Sequence, residues 1–193
     1  KHPLIAEVIA LIGTPFARPL IECTATEEDR TVRFFYLNNL KKLGHQVADH
    51  AVLFLEDPRW FVQRNMLILL GDLGASDKLS KITPLLNHSH QKVRQEALKT
   101  CLLLHDEESI NDLIKTLSSN NRQEVLHAIT MSKLVDHPTL SSELLRMLQT
   151  KELFRFDLDI KKALVQTLAE HGNSKALVIF SELLQTSRLF QAG

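Results

Sequence analysis

Nine histidines are the first candidates for chemistry in this 193-residue chain. His88-Ser89-His90 puts two imidazoles in one turn, and His45 and His50 lie five positions apart. A tetrahedral metal site needs three or four converging ligands. Neither group has an obvious third, so both read as solvated turn histidines, and no metal or other cofactor is expected. No glycine-rich phosphate loop, Gly-x-Ser-x-Gly elbow or Cys–His nucleophile pair occurs. Cys23 and Cys101 stand far apart and read as two small buried apolar side chains in a reducing compartment. Two aromatic groups remain, Trp60-Phe61 and the run Leu153-Phe154-Arg155-Phe156-Asp157-Leu158. Aromatics beside Arg are favoured at binding hot spots, so the chemistry on offer is recognition rather than catalysis.

Those side chains need a scaffold, and composition narrows it. Apolar residues make up 44% and charged residues 24%, as in ordinary globular domains. Six Gly, six Pro, one Trp and one Tyr are too few for a turn-rich, aromatic-rich sheet protein. The 23 Lys+Arg balance 23 Asp+Glu, so the overall basic excess of a non-specific nucleic-acid or anionic-membrane binder is missing. The apolar run Leu4 to Ile12 is broken by Glu7 and too short to span a bilayer, so no membrane insertion is expected. The chain starts at Lys1 rather than Met, which fits a segment of a longer cytoplasmic protein.

A repeat then becomes visible. Val32-Arg33…Leu37…Leu40…Leu43-Gly44 returns as Val62…Arg64…Met66…Leu70…Leu73-Gly74, and again as Val93-Arg94…Ala97…Cys101…Leu104-His105. The step from Val32 to Val62 is 30, and from Val62 to Val93 it is 31. Leu86, Leu117 and Leu148 keep the step of 31, as do Ile82, Leu113 and Leu144. Phe180 and Leu184 follow after 36, the extra five falling near Leu153–Leu158. A last unit, Ile160-Lys161…Ala163-Leu164…Leu168…His171-Gly172, returns to register with Gly44 and Gly74.

Within each unit the apolar spacing of three and four makes one stripe along a helix, and each unit reads as a helix pair, A then B. In the third unit, helix A is expected from about Pro58 to Leu73, with Asp57 as its cap and Gly74 ending it in a left-handed turn. Asp77 is expected to cap helix B, and Pro84 to kink it or tighten it locally. One pair cannot bury its stripe alone, and stacking against neighbouring pairs completes the core. The first helix, with Leu4, Ile5, Val8, Ile9 and Ile12, hardly has a polar outer face. A preceding repeat or domain is expected to cover it.

Thr31-Val32-Arg33 through Leu43-Gly44 resembles helix A of bacterial HEAT and HEAT-like repeats, including those of the phycobilisome-lyase-like type, and Leu70-Gly71-Asp72-Leu73-Gly74 shows their Leu-Gly-x-Leu-Gly ending in full. The likeness covers about residues 1–187 and implies an all-α α-solenoid, a right-handed superhelix of about six helix pairs in one domain, 1–193. Approximate units are 1–24, 25–56, 57–88, 89–119, 120–152 and 153–187. The fifth departs from the pattern, having Glu124-Val125 and Val135-Asp136 where Val-Arg and the terminal Gly stand elsewhere.

HEAT arrays serve as scaffolds and adaptors, so the resemblance implies a non-enzymatic module that binds another protein. Deoxyhypusine hydroxylase, a HEAT-like enzyme, repeats a His-Glu step that is absent here. A HEAT-like nucleic-acid-binding protein or an enzyme, DNA-glycosylase-like or bilin-lyase-like, is the alternative on fold grounds. In stacked HEAT units the B helices line the concave face. There one row reads Lys81, Asp112, Glu143 and the next Pro84, Lys115, Arg146, Glu182. A duplex groove would present a cation at most steps; this mixed ladder fits inter-repeat ion pairs or a polar protein partner. The basic residues of Val32-Arg33, Val93-Arg94 and Ile160-Lys161 are expected to pair across to the next unit. One ring of Trp60-Phe61 should face solvent or the neighbouring pair, while Phe154 and Phe156 either plug the seam opened by the insertion or join the binding surface. The candidate partner-binding residues are therefore Trp60, Lys81, Asp112, Lys115, Glu143, Arg146, Phe154 and Phe156.

Overall fold

A computed structural model describes residues 3–149, 158–172, 176–178 and 181. Every regular element among them is helical, and the class is all-α, built from the stacked helix pairs of an α-solenoid. The chain divides into two compact units, Lys1–Asp106 and Glu107–Gly193. The first holds α1 (Pro3–Ile12), α2 (Ala17–Thr26), α3 (Arg30–Lys42), α4 (Val47–Ala51), α5 (Trp60–Asp72), α6 (Leu79–Ile82) and α7 (Gln91–Leu103). In the second lie α8 (Glu107–Leu117), α9 (Arg122–Ser132), α10 (Pro138–Gln149) and α11 (Leu158–Glu170). No single described helix is long and apolar enough to cross a membrane.

The apolar stripes go where their spacing sends them. Leu40, Met66, Leu70, Ile82, Val93, Ala97 and Cys101 are buried in the first unit, with α5 packed along α7. Leu113, Leu117, Leu144, Leu148, Leu164 and Leu168 are buried in the second, where α9 packs on α8 and α11. Leu86 is half-buried, and Phe180 and Leu184 lie outside the described residues. On α1 only part of the expected stripe is covered: Ile9 is buried, while Leu4 is 73% and Val8 46% exposed. Cys23 departs from expectation. The inward face of α2 is Leu20, Ile21, Thr24 and Ala25, which turns Cys23 to solvent; Cys101 is buried.

Proline explains one helix B and not the other. Pro84 lacks the N–H that would continue an α ladder, and α6 tightens after Ile82 into a 3₁₀ turn over Thr83–Asn87. The same tightening follows α4, over Val52–Glu56, with no proline to force it. Helix A of the third unit starts at Trp60, slightly later than the spacing predicts. Residues before proline favour extended backbone, and Asp57 is extended (φ −63°, ψ 135°). Arg59 is the cap residue of α5, and Asp57 accepts the Arg59 backbone N–H instead. Asp77 likewise does not cap α6, which follows a 3₁₀ turn over Ser76–Lys78 and has Lys78 at its cap position.

Helices α5 and α7 end alike. The Ala75 N–H donates to the Leu70 carbonyl and the Gly74 N–H to that of Gly71; Asp106 and His105 repeat this with Cys101 and Leu102. Such an ending needs a left-handed residue. Gly74 supplies it at φ 64°, and His105 at φ 57°, the one non-glycine with positive φ among the described residues. A Cβ strains that conformation. Replacing His105 with glycine is therefore expected to stabilise the fold by about 0.5–1 kcal/mol, read as a melting temperature raised by about 2–3 °C. A fall would show that the imidazole contributes more than its backbone strain costs.

Candidate functional site

The starts of α3 and α7 are each tied to the turn before them. Asp29 accepts the N–H groups of Thr31 and Val32 at the head of α3 (2.6 and 3.2 Å), which holds its carboxyl below the usual range. The Arg33 guanidinium donates to the carbonyls of Glu27 and Glu28 (2.6 and 2.9 Å), and Arg94 does the same to those of His88 and Ser89 (2.7 and 2.8 Å). The basic residues of the two Val-Arg pairs thus close their own turns rather than reaching the next repeat. Cross-repeat pairing falls to other residues: Lys41 with Asp72, Arg64 with Glu96, His45 with Asp77 and Arg122 with Asp159.

The aromatic pair sits at the head of α5. Trp60 lies flat on His90, centroids 4.4 Å apart and planes within 5°, and the Lys92 ammonium stands 4.9 Å from the indole centroid. Trp60 therefore packs on the neighbouring repeat. Phe61 is the ring that faces solvent, 39% exposed, with the Arg59 guanidinium 5.8 Å from its centroid. Arg59 itself is fixed by two bonds to the Asp57 carboxylate (2.9 and 2.7 Å) and a third to the Ala25 carbonyl (3.1 Å). Its guanidinium holds the Asp57 carboxyl below the ordinary carboxylate range.

These side chains border a groove of about 690 Å³ running from the Glu27–Glu28 turn and Arg33 to Arg59, Phe61 and Arg64. A second depression of about 350 Å³ continues it past Trp60 and Arg64 to Lys92, Glu96 and Lys99. Five cations (Arg33, Arg59, Arg64, Lys92, Lys99) meet three acids (Glu27, Glu28, Glu96) along this band. With Asp57 bound to Arg59, the band joins aromatic area to a positive excess of one charge. Among the described residues no group of three His, Cys, Asp or Glu could hold a metal ion.

The other sequence candidates do not join this band. Lys81 is exposed on α6. Lys115 pairs with Asp112 (2.8 Å) and Arg146 with Glu143 (2.6 Å), each one turn apart on its own helix, where the rows fit pairs between repeats or a polar protein partner. Phe154 and Phe156 lie outside the described residues. Arg64, Lys92 and Lys99 escape a sequence reading that aligns polar positions only along the B helices. Extending that alignment to the A helices exposes Arg33 and Arg64, one repeat step apart.

Residues 48–133 match the family model described as HEAT repeats, a stretch running from α4 to just past α9. That stretch is therefore similar to HEAT repeats. No curated protein matches its sequence. Among solved structures it is similar to a chain of the complex of CpcE and CpcF of phycocyanin lyase from Nostoc sp. PCC7120, at 17% identity and a TM-score of 0.41, covering 94% of this chain and 89% of that one. It is also similar to an engineered protein, at 16% identity and a TM-score of 0.39, covering 98% and 90%.

Proposed function

We propose that this chain is a docking module of scaffold or adaptor type, without a reaction of its own, which binds a segment of another protein along the band between Arg33 and Lys99. The observation that carries this is the exposed Phe61 ring beside Trp60, on two adjoining depressions lined by five cations and three acids. Aromatic and Arg side chains dominate binding energy at protein interfaces, and Arg59 is already locked in place, so little of its freedom is lost on binding. The positive excess favours an acidic segment carrying one or two apolar anchors. The pairs on α8 and α10 are neutralised within their own helices, so the A helices rather than the B row are assigned the contact. A reducing cytoplasm suits the exposed Cys23 thiol.

Selection from a random displayed-peptide library tests this while leaving the partner open. Peptides enriched on the whole chain are expected to be acidic, to weaken with added salt, and to bind at least tenfold less well to a Phe61→Ser, Lys99→Glu variant. A tenfold loss is about 1.4 kcal/mol. Enriched peptides that bind this variant as well as the parent would place docking elsewhere, and an unenriched library would sink the proposal.

A further inference from the structure

Each A helix from α3 to α9 is preceded by an acceptor side chain at a fixed register: Glu27, Asp57, His88 and Ser119, each one repeat step after the last. Each accepts the backbone N–H two positions on, at 2.9, 2.9, 3.0 and 3.1 Å. In three of the four that second residue then caps the helix in the same way. Asp29 takes Thr31 N–H, His90 takes Lys92 N–H (3.3 Å), and Asn121 takes Gln123 N–H (3.0 Å). Carboxylates, a hydroxyl and an amide serve at α3, α5 and α9. At α7 both acceptors are imidazole Nδ1 atoms.

An imidazole nitrogen accepts a hydrogen bond only when it carries no proton. Both rings must therefore be neutral, with their proton on Nε2, for the turn to close. A carboxyl retains an acceptor oxygen even when protonated, and Ser and Asn do not titrate, whereas an ordinary imidazole gains its proton near pH 6.5. The charged groups around the two rings are mostly basic. Lys92 and Arg94 stand on the same helix, Arg64 and Lys99 share the Trp60 depression, and Glu96 is the one acid among them, itself paired with Arg64. A positive ring would also face the positive end of the α7 dipole. The stacked face of Trp60 would attract a positive His90 ring.

We propose that His88 and His90 form a pH-sensitive cap on α7, closed when both rings are neutral and opened by their protonation, which frays the first turn and loosens the Trp60 seam between α5 and α7. Its use as a control on docking rests on the function proposed above; the cap itself is tested on the free chain. Two readouts are needed. Trp60 is the sole tryptophan, so its emission reports the stack, and amide exchange over residues 88–95 reports the turn. Between pH 7.5 and 5.5, Trp60 emission is expected to change as the stack loosens. Exchange in the α7 first turn, corrected for its intrinsic rate, is expected to accelerate at least fivefold. A His88→Asp, His90→Asn chain borrows the acceptors used at the other helices, and both changes should vanish in it. An emission change without faster exchange would overturn the cap, as would a double variant that keeps the pH dependence of the parent.

Discussion

Replacing Leu70 with alanine is expected to cost about 3–4 kcal/mol of stability and to lower the melting temperature by roughly 10 °C. Leu70 is fully buried on α5, in the core shared with α7. Large-to-small changes cost more when the surroundings cannot collapse into the void, and here they are held on several sides. The Leu70 carbonyl accepts the Ala75 N–H that terminates the helix. One turn earlier, the Thr100 hydroxyl of α7 donates to the Leu67 carbonyl at 3.0 Å. Gly71 meets Thr100 and Leu103 so closely that a Cβ there would already be in van der Waals contact, at 3.5–3.7 Å. Helices α5 and α7 are thus pinned to each other next to Leu70, and the cavity stays open. Leu53→Ala, at a 64% exposed position, serves as the control and is expected to stay within about 0.5 kcal/mol. Equal effects at the two positions would mean that the stripe deduced from spacing is not what holds the repeats together.

That stripe was legible because burial follows helix geometry and geometry follows spacing. Val62, Leu70 and Leu144 are inward for the same reason that they recur at three and four, and then one repeat later. Gly74 was legible as a helix stop because few other residues adopt its φ; His105 in the equivalent place shows how the position can be filled without the signal. What the sequence hides is pairing with groups that have no residue identity. Arg33 and Arg94 bind backbone carbonyls, and no side-chain pattern announces a carbonyl. Trp60 stands out as an aromatic, but its stacking partner lies a full repeat further on, in a turn whose histidines suggest only solvent or metal. The groove itself depends on how adjacent A helices abut, which a one-dimensional period describes only as a distance along the chain.

Arg59→Ala is expected to remove about 2 kcal/mol, the lower part of the range for hydrogen bonds to charged groups, because Arg59 is 41% exposed and its interaction with Asp57 is partly screened. The loss is larger than for an ordinary surface ion pair for two reasons. Asp57 is only 13% exposed, so its carboxylate is left with little water to replace the guanidinium. The Ala25 carbonyl also loses its donor, and with it a tie between the end of α2 and the head of α5. The pH dependence identifies the cause. A carboxyl whose folded value lies below its unfolded one contributes stability that is present above the unfolded value, near 3.9, and is lost as pH falls through the folded value. The parent should therefore lose this contribution below about pH 4, and the Arg59→Ala chain should lose less over the same range. That window lies well below the imidazole range near pH 6.5, so an acid titration of melting temperature separates the Asp57 clamp from the His88–His90 cap. Arg59→Lys keeps the charge but not the fork that engages both carboxylate oxygens and a carbonyl together, and it is expected to recover less than half of the lost stability. Full recovery by lysine would mean that charge alone, and not the three-way geometry, holds the head of α5.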